Sequence, residues 1–389
     1  MFIMTIKSHT SLEQHEAGEK MSRRVGCFFR SPLRRVLLLI CLFMISCLFV
    51  YGSSSVSYFL RHIGPIKSEQ SEVLILIWIW PFNISFDLDI CKSQFNVDGC
   101  RLTVDRELYS KADGVLIHHR DINWDLSNLP ASPRHPHQKW IWMNLESPSN
   151  TLQIPHLDNL FNVSLSYRQD ADITVPYGWV VSTRQEQKDF IPPKKKKMLC
   201  WIVSNFQINH RRAQVYDELR RYMDIHTFGG SFNQPVSEES YREIIASCKF
   251  YLSFENSEHK DYITEKLYNV LQLGAVPVVL GPSRQNYERF VPQDAFIHVN
   301  DFPSMRALAK YLLFLSRHEE LYGRYFNWRR HFEVKISSFP AEHACYSCDY
   351  IRRHKEYQVL NNLYQWYWGM NVEADEAWFR PYRKRLANT

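Results

Sequence analysis

The sequence contains no GxxxxGK[ST] phosphate loop, no GxGxxG turn, no GxSxG turn and no HExxH helix. These absences exclude P-loop nucleotide hydrolysis, a fingerprinted dinucleotide site, an elbow-type serine hydrolase and a zincin-like centre. No Asp-x-Asp follows a strand-like run; Asp87-Leu88-Asp89 has the letters but follows a turn-like stretch. A nucleotide-sugar enzyme built on this chain would therefore neutralise a diphosphate with its own cations rather than with a divalent ion. Cys345-x-x-Cys348 has neither a second CxxC nor an HxxxH partner, which favours structural disulfides over zinc. The excess of positive charge is small, +6, and partly confined to local runs, so nucleic acid is not implied as a partner.

A chain of 389 residues, 45% hydrophobic, is too long for one small core and is expected to form two domains. Residues 36–60 carry no charged side chain, and their densest part is VLLLICLFMISCLFVY. Arg23, Arg24, Arg30, Arg34 and Arg35 precede this run, and only Arg61 and Lys67 follow closely. The pattern predicts a cytosolic tail (1–35), a transmembrane signal anchor (36–60), a stem (61–72) and a lumenal remainder. About thirty-five residues before the apolar run is long for a cleaved signal peptide. Six cysteines lie beyond the anchor: Cys91, Cys100, Cys200, Cys248, Cys345 and Cys348. An even number suits disulfides in a lumenal domain. Sequons at Asn83 (Asn-Ile-Ser) and Asn162 (Asn-Val-Ser) agree with that compartment.

From residue 73 onward, short apolar runs alternate with helix- or loop-like segments. Residues 73–80, 114–118, 140–145 and 173–177 read as strands covered on both faces, giving an α/β domain over 73–180. Residues 181–197 are polar and end in Pro192-Pro193 and four lysines, which reads as a solvated linker. A second alternating set follows, with strands at 198–204, 225–228, 250–254, 276–280 and 296–299. Helices are expected at 210–223, 238–248 and 264–273, the last capped by Thr264 and closed by Gly274. The tail beyond 307 reads as mostly helical and rich in aromatics. The expected architecture is two doubly wound parallel sheets with a ligand cleft between them.

Two cations fall at helix starts after strands of the second set, Arg212 and Lys266, where an anion is favoured. Glu265 is placed to accept hydrogen bonds from hydroxyls. Tyr251, Asn256 and Tyr262 border the same loop and could stack on or bond to a nucleotide, although each singly reads first as packing or loop capping. Glu146 follows the run WIWMNL, at a site position of an α/β sheet. A solvated carboxylate at a strand end is its plainer reading.

The segment FYLSFENSEHKDYITEKLYNVLQLGAVPVVLGPSRQNYE closely resembles the signature of the α-1,3/4-fucosyltransferases, glycosyltransferase family 10. So do KWIWMNLESP, VLIHHRDINWDL and CWIVSN, and the similarity runs from about residue 73 to about 368. The resemblance implies a GT-B fold of two Rossmann-like domains. The C-terminal one, 198–368 with a return tail, would hold GDP-β-L-fucose. It implies inverting transfer of fucose to O3 of GlcNAc in Galβ1-4GlcNAc termini of glycoproteins and glycolipids, at the Golgi membrane, as a single-pass type II protein. No metal or other cofactor is required on that chemistry, and a homodimer is left open. Glu146 falls on the base position, and Arg212 and Lys266 on pyrophosphate contacts. Ser204, Asn205, Asn256, Tyr262 and Glu265 fall on the donor pocket, with Tyr177 and Tyr251 as neighbours. The resemblance also implies disulfides Cys91–Cys345, Cys100–Cys348 and Cys200–Cys248. The chain departs from the family pattern at Asn83-Ile84, where Gly-Gln is usual, in a longer N-terminal tail, and in an extension over 369–389. Other acceptors (sialylated, internal polylactosamine or type 1 chains) and a catalytically silent glycan-binding paralogue are the alternatives.

Overall fold

The computed structural model describes residues 72–183 and 190–369. The expected cytosolic tail and anchor, and nearly all of the stem and C-terminal extension, lie outside the described residues. Among the described residues no helix is long and apolar enough to cross a membrane.

The first body is built on β1 (Val73–Ile77), helix α1 (Ile90–Phe95), β2 (Cys100–Thr103), β3 (Gly114–His118), β4 (Lys139–Asn144), β5 (Val163–Ser166) and β6 (Ile173–Thr174). The six strands are parallel in the order β2-β1-β3-β4-β5-β6. Every residue of β3, β4 and β5 is buried, which is why β3 and most of β4 appear as apolar runs; β5, Val-Ser-Leu-Ser, alternates and was not expected from the sequence. The expected strand over 173–177 stops at Thr174. The chain passes Pro176, which has no amide to donate, and enters β7 (Gly178–Ser182), which belongs to a different ladder.

The second body contains β8 (Lys197–Ile202), α2 (Arg211–Leu219), β9 (His226–Phe228), α3 (Glu238–Ser247), β10 (Cys248–Phe254), α4 (Glu265–Leu273), β11 (Val276–Leu280), α5 (Arg284–Tyr287) and β12 (Ile297–His298). Its strands are also parallel, in the order β12-β11-β10-β8-β9. Both sheets thus share one winding, with the first strand flanked by the second and third. Crevices open at the carboxyl ends where the winding reverses, between β1 and β3 and between β8 and β10. Helices α6 (Met305–Arg317) and α7 (Glu319–Gly323) follow, α6 packing its Leu308, Leu312 and Leu315 into the second core. The tail is not uniformly helical: β13 (Phe332–Ile336) pairs antiparallel with β7. Helix α8 (Ala341–Arg353) then returns to the first sheet, against β1, β2 and β3.

Disulfides Cys91–Cys345 and Cys100–Cys348 fasten α8 to α1 and β2, and Cys200–Cys248 joins β8 to the start of β10. Beyond α8, Leu363, Tyr367 and Trp368 bury against Trp140 and Trp142. Residues 363–368 therefore complete the core of the first body.

Of the segment read as a solvated linker, residues 184–189 lie outside the described residues, and Ile191, Pro193, Lys194 and Lys196 are exposed, but its ends and Lys195 are held by structure. Residues 181–182 belong to β7 and Lys197 to β8. The Lys195 ammonium donates to the carbonyls of Ala246 (2.9 Å) and Gly274 (2.5 Å), at the ends of α3 and α4. Helix ends expose unpaired carbonyls that a cation satisfies, which draws in this one lysine of the run. Burial lowers the Lys195 pKa to about 8.

Candidate active site

Glu146 stands just past β4, and the structure holds it mainly through its backbone. Its amide donates to Asn144 Oδ1 (3.3 Å), and the Tyr367 hydroxyl donates to its carbonyl. The Tyr177 hydroxyl donates to the preceding carbonyl, that of Leu145. The carboxylate is 27% exposed, so it is sheltered yet open to a ligand. The Tyr262 hydroxyl donates to Oε2 (3.4 Å), and Arg120 Nη1 lies 3.6 Å from Oε1. Arg120 in turn lies over the Phe82 ring, 5.6 Å from its centroid. The Phe82 amide is held by Asp121 Oδ2 (3.2 Å), which also pairs with His118 Nδ1 (2.7 Å). The ends of β1, β3 and β4 thus converge on one carboxylate.

The cations sit opposite, at the carboxyl ends of the second sheet. Arg212, in the first turn of α2, is 6% exposed. One terminal nitrogen donates to the Asn205 carbonyl, while its Nε is buried and has no hydrogen-bond partner among the described residues. A buried guanidinium with an unmatched donor suits an anion that arrives later. Ser204 and Asn205 are exposed on the turn between β8 and α2.

Helix α4 begins as its sequence indicates: Thr264 caps it and Gly274 ends it in the left-handed region, φ 78°. Lys266 Nζ lies 2.9 Å from Glu265 Oε1, 3.0 Å from Thr264 Oγ1 and 3.6 Å from Glu255 Oε2. Burial lowers the Lys266 pKa, but Glu255 and Glu265 outweigh it and raise the value above the ordinary lysine range. Around Glu265 burial acts upward, and the Lys266 charge outweighs it, leaving the carboxyl below its ordinary value.

Glu255, at the end of β10, went unnoticed in the sequence although it adjoins Asn256. It is 3% exposed, and its oxygens accept from the Thr264 amide (2.8 Å) and hydroxyl (2.8 and 3.0 Å). Burial raises its pKa to about 6, against the lowering effect of Lys266. Its position past a parallel strand, beside the winding reversal, was the available signal. Arg120 and Tyr367 were missed too; only their spatial neighbours show what they do.

Tyr262 joins the two halves. It is buried, and its phenol pKa is pushed well above ordinary by burial and then by Glu146, Glu255 and Glu265. It therefore stays a proton donor. Tyr177 and Tyr167 pack against it edge-on, and against each other at a tilt. Asn256 borders it, accepting from the Ser257 hydroxyl (3.0 Å).

Tyr251 is not brought to the opening. It is 3% exposed between the second sheet and α3 and α4, with its hydroxyl accepting from the Ile202 amide (3.2 Å). As a residue inside β10 it alternates inward, so packing decides its place. Asn162 departs from its expected role as well. It is 2% exposed, its Oδ1 accepts from Arg134 and the Trp140 amide, and its Nδ2 donates to the Gln358 carbonyl (2.7 Å). A glycan on that nitrogen requires the segment around Gln358 to move aside. Asn83 is exposed, with φ 61°. Among the described residues, no three His, Cys, Asp or Glu side chains gather as a metal site.

Two identically wound parallel sheets, with Glu146 past a strand of one and Arg212 and Lys266 at helix starts after strands of the other, and Tyr262 between them, make an arrangement suited to group transfer. Residues 70–178 match the profile "Fucosyltransferase, N-terminal", and residues 192–366 match "Glycosyltransferase family 10 (fucosyltransferase) C-term". The chain belongs to glycosyltransferase family 10, the fucosyltransferases. It is 48% identical over 351 residues to 4-galactosyl-N-acetylglucosaminide 3-alpha-L-fucosyltransferase 9 of Bos taurus, covering 86% of this chain and 97% of the relative. It is 53% identical over 299 residues to the Homo sapiens protein of the same name, covering 77% and 83%. Among solved structures, an alpha1,3-fucosyltransferase crystallised with GDP-fucose is similar at 14% identity and a TM-score of 0.49, covering 76% of this chain and 95% of that one.

Proposed function

We propose that the chain is an inverting α-1,3-fucosyltransferase that moves L-fucose from GDP-β-L-fucose to O3 of GlcNAc in Galβ1-4GlcNAc termini, making Lewis X-type structures. The observation that carries this is the convergence on Tyr262. One phenol donates to Glu146 and lies in the field of Glu255 and Glu265, so a base and an anion site share one opening. The relatives' names support the same acceptor.

On this reading the Glu146 carboxylate takes the proton from the O3 hydroxyl as oxygen attacks the anomeric carbon from the face opposite the diphosphate. The bond from that carbon to the phosphate oxygen breaks, and GDP leaves with the electron pair. Arg212, Lys266 and the first amides of α4 offset the charge that develops on it. One carboxylate suffices, because the leaving group needs neutralisation more than a proton. Ser204, Asn205, Asn256 and Glu265 line the donor side. The two bodies are read as the halves of a GT-B enzyme, with a type II anchor in the Golgi membrane, lumenal catalysis and no metal requirement.

The test is transfer from GDP-fucose to type 1, type 2 and sialylated acceptors with a chelator present. Full transfer to the type 2 acceptor is expected. No transfer to any acceptor would indicate a silent paralogue, transfer to another acceptor alone would replace the proposed specificity, and a requirement for Mn²⁺ would end the metal-free mechanism.

A further inference from the structure

The loop over 256–262 leaves the second sheet and grips the first body at several points. Ser257 Oγ donates to Ser147 Oγ (2.6 Å). Lys260 Nζ lies 3.1 Å from Asp170 Oδ2, and Asp261 Oδ2 accepts from the Gln169 amide (3.1 Å). His259 Nε2 lies 3.3 Å from the Ser149 amide nitrogen and 2.6 Å from its hydroxyl. An amide only donates, so this imidazole nitrogen is unprotonated and accepts from both Ser149 groups. His259 is 6% exposed, so the accepting imidazole is largely removed from water, while Ser149 lies at the exposed side of the contact.

Ser147 and Ser149 belong to the turn that follows Glu146 directly. That turn is closed internally: Thr151 Oγ1 donates to the Ser147 carbonyl (2.8 Å) and accepts from Asn144 Nδ2 (3.0 Å), while Asn144 Oδ1 accepts from the Glu146 amide. A displacement of Ser149 therefore reaches Glu146 through a short hydrogen-bonded ring. The root of the loop is equally firm. Asp261 is buried, exchanges two 2.7 Å bonds with Asn286 and pairs with Arg289 (2.5 Å). The same loop carries Asn256 at one end and runs through Thr264 into Lys266 at the other.

We infer that the His259–Ser149 contact is a positioning contact for Glu146, which ties the alignment of the carboxylate to the loop bordering the anion site. This rests on Glu146 being the base. His259 touches no reacting atom; it acts through Ser149 and the turn. Removing the imidazole breaks both bonds to Ser149, whose exposed groups then turn to water, and frees the turn to shift; small misplacements of a base are costly in rate.

The experiment uses the full chain in detergent, with steady-state kinetics on GDP-fucose and a type 2 acceptor, GDP binding by calorimetry, and melting temperature. His259→Ala is expected to lower kcat about 10- to 100-fold with GDP affinity little changed. His259→Gln, whose amide oxygen restores an acceptor, should recover most of it. The His259→Ala/Ser149→Ala double variant should be no slower than His259→Ala alone. If His259→Ala does not fold, Ser149→Ala alone should still lower kcat several-fold at constant GDP affinity. An unchanged kcat, a parallel loss of GDP affinity, or multiplicative losses in the double variant would each overturn the inference. No transfer by the unsubstituted chain would defeat the functional reading and the inference with it, whereas transfer surviving His259→Ala defeats the inference alone.

Discussion

Glu146 owes its place to three hydrogen bonds on its own and the neighbouring backbone, so its side chain can be changed without moving the strand end. Glu146→Gln should therefore abolish transfer, by about 10² to 10⁴ in kcat, while calorimetric GDP affinity stays near that of the unsubstituted chain. A loss of GDP affinity would place Glu146 on the donor side instead. Glu255 answers to pH. Its folded pKa, about 6, is above the ordinary glutamate value, so folding favours its protonated form. That stabilisation is fully present below about pH 4.5 and is lost as pH rises through 6. The melting temperature of the unsubstituted chain, measured relative to Glu255→Gln, should accordingly fall across that window and level off above it, by an amount corresponding to roughly 2 kcal/mol. A difference flat in pH would refute the burial argument. As pH falls through the same window Glu255 takes up its proton, and Lys266 is relieved of one competing carboxylate.

At the scale of elements, α4 and its neighbours show how local chemistry and packing combine. Thr264 and Gly274 are legible as caps, but Gly274 has a second duty. A Cβ there would meet Phe190 at 2.8 Å and Pro193 at 2.9 Å, besides a φ that side chains disfavour. Gly274→Ala should lower stability by about 1 kcal/mol or more, read from the denaturant midpoint, by prising the packed connector off the end of α4. An unchanged midpoint would mean the connector gives way freely. The antiparallel pair β7–β13 had no signal of its own. Each strand is short and half-exposed, and the two lie about 150 residues apart, so neither has a continuous apolar run to reveal it.

For the whole molecule, the return of α8 matters most. The chain begins the first sheet, builds the second, and then comes back to cover the first with α8 and the aromatic cluster around Trp142 and Tyr367. The latter places the hydroxyl that holds Glu146. Replacing Cys345 and Cys348 by Ala should cost about 2–5 kcal/mol per bridge in urea unfolding. It should also lower kcat more than it lowers GDP affinity, because the loosened element serves the acceptor side. Equal losses of both would mean that the second body depends on the return as well.

The alternation of apolar runs with helices, the caps of α4 and the long signature around it determined by themselves the parallel α/β class, the family and the place of Arg212 and Lys266 at helix starts. These features are local: a buried parallel strand must be apolar along its whole length, and a helix start is fixed by a few neighbouring residues. The tertiary structure alone decided the rest. It buried Tyr251 and Asn162, tied Lys195 to the ends of two helices, and set Glu255 beneath Lys266. It also brought Arg120, Tyr262 and Tyr367 around Glu146 from segments far apart in the chain. Such placements depend on which distant groups end up sharing a space from which water is excluded, and no local pattern records that.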